Sequence, residues 1–416
     1  MPVRSRMLLS TSTIHFLNHI TLYAFPSIVI FIRDDIPLNY SEIGIIAAIP
    51  TLLMVLLTPL TGRTRTGFES WVILSGLFVM GFSIALMGNA QTIFDLMLAS
   101  VVLGVGGAAY HPPGFSMVSI FYDEKKAEAL SLNQGAGVVG TALAPFFLVG
   151  SASLLGWRET LLFCGSLTIL TIFPTAVLLV GVSEALRSLN SKGSNPENYP
   201  GESSLARSGS LLLAALSLPL IVALFLSACR STVFRTVTFF TVALMKDFYG
   251  LSKRDSGIVS SIILLMGAVS SFLGGRLSDR LENGRMKVLI VSAIGMVLFS
   301  ILLALLGQDV TRIVGIAIYA LFICFYFFAA ANFSALLAEM VPIRLRTVAF
   351  GLNFSLGQAA GALAPIIFGY LLDTYGFAAG MVYLMLVSVA SLLIIGLLRR
   401  IVTEKPVSNA TAPPVA

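Results

Sequence analysis

Two stretches decide the reading of this chain: ALSLNQGAGVVGTALAP at residues 129–145 and AFGLNFSLGQAAGALAP at residues 349–365. Ala129, Leu132, Asn133, Gly137, Ala142, Leu143, Ala144 and Pro145 recur as Ala349, Leu352, Asn353, Gly357, Ala362, Leu363, Ala364 and Pro365, giving eight identities in 17 positions at a constant offset of 220. Both stretches are apolar and rich in small residues, a composition that suits close approach between helices in lipid. A second, weaker pairing sets TPLTGR at 58–63 beside GRLSDR at 275–280. The chain therefore reads as two halves built on one plan. Internal repeats with a binding site near the midplane between them are a recurring plan of secondary transporters.

Outward from the repeats the same apolar character fills nearly the whole chain. Of 416 residues, 57% are hydrophobic and 11% charged, and mean hydropathy is +0.93, which excludes an ordinary soluble enzyme. A bilayer core takes about 20 apolar residues per helical span. On that criterion twelve spans are expected near 8–32, 43–61, 70–89, 93–121, 128–150, 160–182, 211–243, 256–274, 288–307, 313–338, 348–372 and 377–398. The expected fold is an all-α integral membrane protein of two pseudo-symmetric six-helix bundles. The N-terminal bundle would occupy 1–183, a polar, turn-rich cytoplasmic linker 184–210, the C-terminal bundle 211–400, and a cytoplasmic tail 401–416.

The formal charge of +6 does not point to nucleic acid, because the basic residues sit in short loops between spans. With the N-terminus inside, 18 Lys and Arg fall on the inner side and six on the outer: Arg33, Arg158, Lys246, Lys253, Arg254 and Arg312. This asymmetry predicts a multi-pass protein of a plasma or bacterial inner membrane with both termini cytoplasmic. The N-terminus reads as an uncleaved first helix, since its apolar run is too long for a signal-peptide core. Cys164, Cys229 and Cys324 lie in apolar segments and read as packing residues. The chain lacks a phosphate-binding P-loop and any paired Cys/His zinc spacing, so no cofactor, no metal and no enzymatic activity are expected.

Gly275-Arg276-Leu277-Ser278-Asp279-Arg280 with Gly284-Arg285, between the eighth and ninth spans, resembles the signature loop of the major facilitator superfamily, and the resemblance extends over essentially the whole chain. It implies alternating access by rocking of two bundles. It also implies a gating role for Gly275, Asp279, Arg280, Glu339 and Arg344, with Asp279 accepting backbone N–H groups near a helix terminus. The first-half copy departs from the pattern, with Gly62 where Asp279 stands in the second. Within the superfamily, His15-Phe16-Leu17-Asn18, Tyr110-His111-Pro112 and Arg230-Ser231 resemble the fosmidomycin-resistance-like group. The chain departs from that group at His19, where the group tends to carry an acid.

Polar groups at membrane depth are expensive, so the few present are the first candidates for handling a solute or ion. Ser12, His15, Asn18 and His19 share one helical face of the first span. His111 sits before Pro112 and Pro113, which bend a helix and free backbone carbonyls, so a cavity-lining hinge is expected there. Arg230 and Arg235 lie inside the seventh span, while Glu42, Asp95, Glu128, Glu339 and Asp373 all fall at span ends. A guanidinium near a span centre without a mid-span carboxylate calls for a bound anion or, failing that, backbone carbonyls and water.

The expected substrate is thus a small organic anion gripped by Arg230 with Arg235. Tyr110, His111, His19, Asn133 and Asn353 would line its site, and His15, His19 and His111 are candidates for proton coupling. Lipid, and protons if coupling holds, are the remaining partners of an expected monomer. Two alternatives stay open. In a drug or antibiotic exporter of the same superfamily the arginines would be structural and aromatic walls would select the ligand. In a transporter-like sensor the ligand would bind without flux.

Overall fold

A computed structural model describes residues 1–122, 125–193, 217–306, 310–341 and 346–404. Helix dominates, and no strand occurs among these residues. The spanning helices are α1 (Val3–Asp35), α2 (Tyr40–Thr61), α3 (Glu69–Gly88), α4 (Ile93–Phe121), α5 (Lys126–Leu155) and α6 (Trp157–Leu178) in the first half. The second half carries α7 (Leu218–Asp247), α8 (Lys253–Arg280), α9 (Gly284–Leu306) and α10 (Arg312–Leu337). The last apolar stretch, Ser355–Ile401, is 47 residues long, or about 70 Å at 1.5 Å per residue, twice the thickness of a bilayer core. It divides at Gly376, whose φ of 79° only glycine adopts without strain, into α11 (346–375) and α12 (377–404). Twelve spans in two bundles result, as the repeat implies.

Burial sorts the spans by position. In α1 and α7, 78% and 67% of the most apolar window is buried, against 22% in peripheral α6. Peripheral helices turn large apolar side chains outward: Phe78 and Phe82 on α3, Phe146 and Phe147 on α5, Phe163 and Phe173 on α6. Such a surface is stable in lipid, where apolar exposure carries no hydration penalty. The polar residues of the sequence instead concentrate on the buried central helices, among them Ser10, Thr11, His15 and Asn18 on α1 and Arg230, Thr232, Arg235 and Thr236 on α7.

Four spans are broken among the described residues. α1 divides at Tyr23, α4 between Gly107 and His111, α6 at Thr171 and α10 at Ala329. The breaks in α4 and α10 fall at corresponding points of the two halves. Pro112 and Pro113 in the first turn after the α4 break explain it, since neither can donate to the preceding turn. In α10 no proline marks the place.

The two halves are joined at the face opposite the termini. Arg33 on α1 pairs with Asp247 on α7 at 2.6 Å, and the same carboxylate accepts from the Tyr40 hydroxyl at 2.8 Å. Asp373 on α11 caps the start of α2, accepting from the Tyr40 and Ser41 amides at 2.8 and 2.7 Å and from Ser41 Oγ at 2.6 Å. Lys253 on α8 pairs with Asp34 on α1. Beneath these contacts α2 and α11 touch backbone to backbone, Gly44 against the Pro365 carbonyl and Gly369 against that of Tyr40.

Part of the expected linker is helical. Val182–Gly193 forms an amphipathic helix that buries Val182 and Leu186 against the first bundle, and Arg187 lies over the Phe68 ring at 5.7 Å. Residues 194–210 of that linker and 211–216 of the expected seventh span lie outside the described residues, as do the tail from 405 and Arg344.

Candidate functional site

On α1, steps of three and four residues put His15, Asn18 and His19 on the buried side, as the stripe predicts, but they meet different neighbours. Asn18 donates to the Met80 sulfur at 3.2 Å and belongs to the α1–α3 contact. His15 faces α5, its Nδ1 2.9 Å from the Asn133 backbone carbonyl and 3.2 Å from Asn133 Oδ1. The carbonyl can only accept, so the proton resides on Nδ1 and the lone pair on Nε2. His15 Nε2 is buried and meets no partner. Tyr110, from the α4 break, stacks on the His15 ring at 4.7 Å, donates to the Thr11 carbonyl at 2.8 Å and accepts from Asn133 Nδ2 at 2.9 Å. Both Tyr110 and Asn133 are thereby committed to holding α1, α4 and α5 together.

His19 lies one turn further along α1, its Nδ1 2.7 Å from Thr141 Oγ1. That hydroxyl has one proton and stands 3.2 Å from the Gly137 carbonyl. When it donates to that carbonyl it accepts from His19, the arrangement that leaves His19 Nε2 with the lone pair. The close approach of α5 depends on Gly137, where a Cβ would stand 2.8 Å from His15 Nε2 and 3.0 Å from His19 Cδ2. His111 completes the group, its ring 5.3 Å from that of His15 and 6.3 Å from that of His19. One ligand-capable nitrogen from each of the three histidines lies within 4.8 Å of the other two. Sequence spacing did not announce a histidine cluster, because it joins an i, i+4 pair on one helix to a residue 92 positions away on another.

The two arginines of α7 occupy adjoining cavities. Arg235 lines a cavity of about 260 Å³ between the halves, together with His19, His111, Tyr23, Gln134 and Gln358. Its Nη2 donates to Gln358 Oε1 at 2.8 Å and its Nη1 to the Tyr23 hydroxyl at 3.4 Å, whereas Nε is buried and has no partner. Arg230 lines a cavity of about 210 Å³ in the second half with Ser227, Tyr326, Phe333, Asn353 and Gln358. Its Nη2 donates to the Tyr326 carbonyl at 3.0 Å, next to the α10 break, and its guanidinium stands 4.8 Å from the Tyr326 ring centroid. Phe234 and Gln358 line both cavities. Among the described residues neither arginine forms an ion pair with a carboxylate.

The two repeat asparagines are equivalent in place as well as in sequence. Asn133 offers its carbonyl to His15, and Asn353 offers its own to Ser227 Oγ at 3.4 Å. Asn133 is fully buried behind the histidines, while Asn353 lines the Arg230 cavity with Oδ1 lacking a partner.

The loop residues named for gating sort differently. The close helix approach falls at Gly274, against the Phe328 carbonyl, and at Gly284, against that of Ser278; at Gly275 there is room for a side chain. Asp279 and Arg280 are exposed, and among the described residues Asp279 accepts no hydrogen bond. The reason is its place in the last turn of α8, where the unsatisfied backbone groups are carbonyls rather than N–H groups. Glu339, at the end of the helix Ala330–Glu339 that carries α10 past its break, pairs with Arg285 at the start of α9.

Twelve spans in two pseudo-symmetric halves, with a polar cavity at their junction, define a solute transporter of the two-bundle kind. The chain belongs to the Major Facilitator Superfamily, whose family model matches residues 11–365. It is similar to the protein titled "Probable nitrate transporter NarT" of Staphylococcus haemolyticus, 24% identical over 351 residues, or 83% of this chain and 84% of the relative. The Staphylococcus carnosus protein of the same title is 25% identical over 349 residues, 83% of each chain. Among solved structures it resembles a bacterial homologue of the human lysosomal transporter Spinster, with TM-score 0.74, 17% identity, and 99% of this chain and 100% of the other covered. It also resembles the nucleoside transporter NupG, with TM-score 0.70, 12% identity, and 95% and 100% covered. The superfamily is one of transporters and not of enzymes.

Proposed function

We propose that this transporter moves a small anion, organic or inorganic, gripped between the two halves by Arg235 with Gln358 and Tyr23, with Arg230 as a second cationic station in the adjoining cavity. One observation carries this reading: Arg235 is buried at the junction of the halves with an unpartnered Nε and no carboxylate among its described contacts. A guanidinium taken out of water is strongly destabilising unless paired, and a planar oxyanion matches its fork. The Arg230 cavity is lined by the second half alone, whereas the Arg235 cavity is lined by both halves, so the emphasis moves from Arg230 to Arg235. The nitrate in the titles of the similar staphylococcal proteins agrees with a small anion.

His15, His19 and His111 are proposed to take up a proton as the anion binds, since an imidazole nitrogen can carry a proton and two of the three rings line the Arg235 cavity, where the charge of a bound anion would offset it. Transport proceeds by rocking of the halves, with lipid around a monomer in a cell membrane and both termini cytoplasmic, in keeping with the charge asymmetry. On that orientation the contacts of Asp247 and Asp373 close the outer side. The aromatic walls contributed by Phe115, Phe234, Tyr326 and Phe333 favour one competing reading, drug export.

The test is a thermal-stability screen of purified protein in detergent against nitrate, small carboxylates, phosphate and neutral or cationic drugs. A ligand at 100 times its Kd adds about 2.7 kcal/mol. Stabilisation by anions that disappears in Arg235→Gln supports the proposal. Stabilisation by drugs alone, equal in the variant, replaces it with the exporter reading.

A further inference from the structure

We propose that His15, His19 and His111 form a binding site for a divalent first-row transition-metal cation in the wall of the central cavity. Three observations converge. First, one ligand-capable nitrogen from each of the three rings lies within 4.8 Å of the other two. A tetrahedral Zn²⁺ with Zn–N of about 2.0–2.1 Å spaces its nitrogens about 3.4 Å apart, so the widest pair closes by roughly 1.4 Å. Rotation of the part-buried His19 and His111 side chains supplies that movement.

Second, the outer hydrogen bonds of two rings are those of metal-ligating histidines. His15 gives its Nδ1 proton to the Asn133 carbonyl, which fixes its Nε2 as a lone-pair donor, and Thr141 Oγ1 stands where it can accept the Nδ1 proton of His19 in the same way. Third, His15 Nε2 is buried at 1% residue exposure with no hydrogen-bond partner, which leaves a polar atom of the cluster unsatisfied by the fold.

The donor set selects the metal class. Three neutral imidazoles with no carboxylate suit Zn²⁺, Co²⁺, Ni²⁺ or Cu²⁺ and not Mg²⁺ or Ca²⁺, which take oxygen ligands. Histidines at i and i+4 on α1 share a face, and the third comes from the α4 break, so a bound ion ties these two helices together. Three protein ligands leave a fourth position, which opens to the cavity that His19 and His111 line with Arg235. The positive guanidinium there favours an anion or hydroxide as the fourth ligand and disfavours a second cation. An ion so held clamps the cavity wall of the first half and slows the rocking of that half.

The experiment is Co²⁺ and Zn²⁺ titration of purified, tag-free protein in detergent, read by the visible d–d absorption of tetrahedral Co²⁺, its displacement by Zn²⁺, and thermal stability. It needs no transported solute and so stands apart from the anion reading. One Co²⁺ per chain is expected. The His111→Gln variant should bind more than about 100-fold more weakly, and Thr141→Val, which removes only the outer partner of His19, about 10- to 100-fold more weakly. Both variants should retain the apo melting temperature of the wild type to within a few degrees; if His111→Gln does not fold, His19→Gln and Thr141→Val carry the comparison. An absence of tetrahedral Co²⁺ absorption in wild type, or undiminished binding in His111→Gln, His19→Gln and Thr141→Val alike, overturns the proposal.

Discussion

Arg235 holds one side of its guanidinium against Gln358 and Tyr23 and leaves Nε facing nothing. Hydrogen bonds to charged groups contribute about 1.5–3 kcal/mol, so Arg235→Gln should weaken anion binding about 10- to 100-fold. Calorimetric titration with the best anion of the stability screen measures it. The Gly137→Ala variant should lower stability by about 1–3 kcal/mol, because its Cβ meets two imidazole rings that α1 and α5 hold in place; the melting temperature in detergent reports this. An unchanged melting temperature would mean that the two helices can part at little cost. The arginines and the α1 stripe were legible in the sequence because an ionisable group in an apolar run stands out by itself. The partners were not: that Thr141 meets His19, or that Asp247 meets Arg33, depends on how helices far apart in sequence are packed, and local spacing carries no record of it.

At the scale of elements, the repeat of 129–145 in 349–365 announced two equivalent helices, and their asparagines do occupy equivalent places against α1 and α7. The break in α4 was readable from Pro112 and Pro113, whereas the equivalent break at Ala329 carries no proline or glycine and follows from tertiary packing alone. The helix at Val182–Gly193 was missed because it lies in a polar stretch, and its few buried residues were too sparse to stand out. Among helix contacts, α2 against α11 is the tightest test of small-residue packing. A valine at Gly369 collides with the Tyr40 carbonyl, and overpacking of this kind costs about 1–3 kcal/mol. Gly369→Val should therefore lower the melting temperature, with Gly275→Ala, which meets only the Ala331 Cβ at 4.0 Å, as the neutral control.

For the whole molecule, the decisive feature is that the halves are held together at one face and share the Arg235 cavity at their junction. Each partly exposed ion pair contributes about 1 kcal/mol or less, but a shift of 1.4 kcal/mol moves a conformational equilibrium tenfold. The Asp247→Asn, Asp373→Asn double variant should therefore open the face opposite the termini, read as faster labelling of a cysteine introduced at Ser27; labelling no faster than in wild type would show that backbone packing alone closes that face. The central claim, that a small anion crosses through the Arg235 cavity, is tested most directly by flux into liposomes containing only this protein, comparing nitrate, small carboxylates and a cationic drug in wild type and Arg235→Gln. The account predicts anion flux in wild type that falls at least about tenfold in the variant. Drug flux without anion flux, undiminished by the substitution, or no flux of any solute despite tight binding, would contradict it.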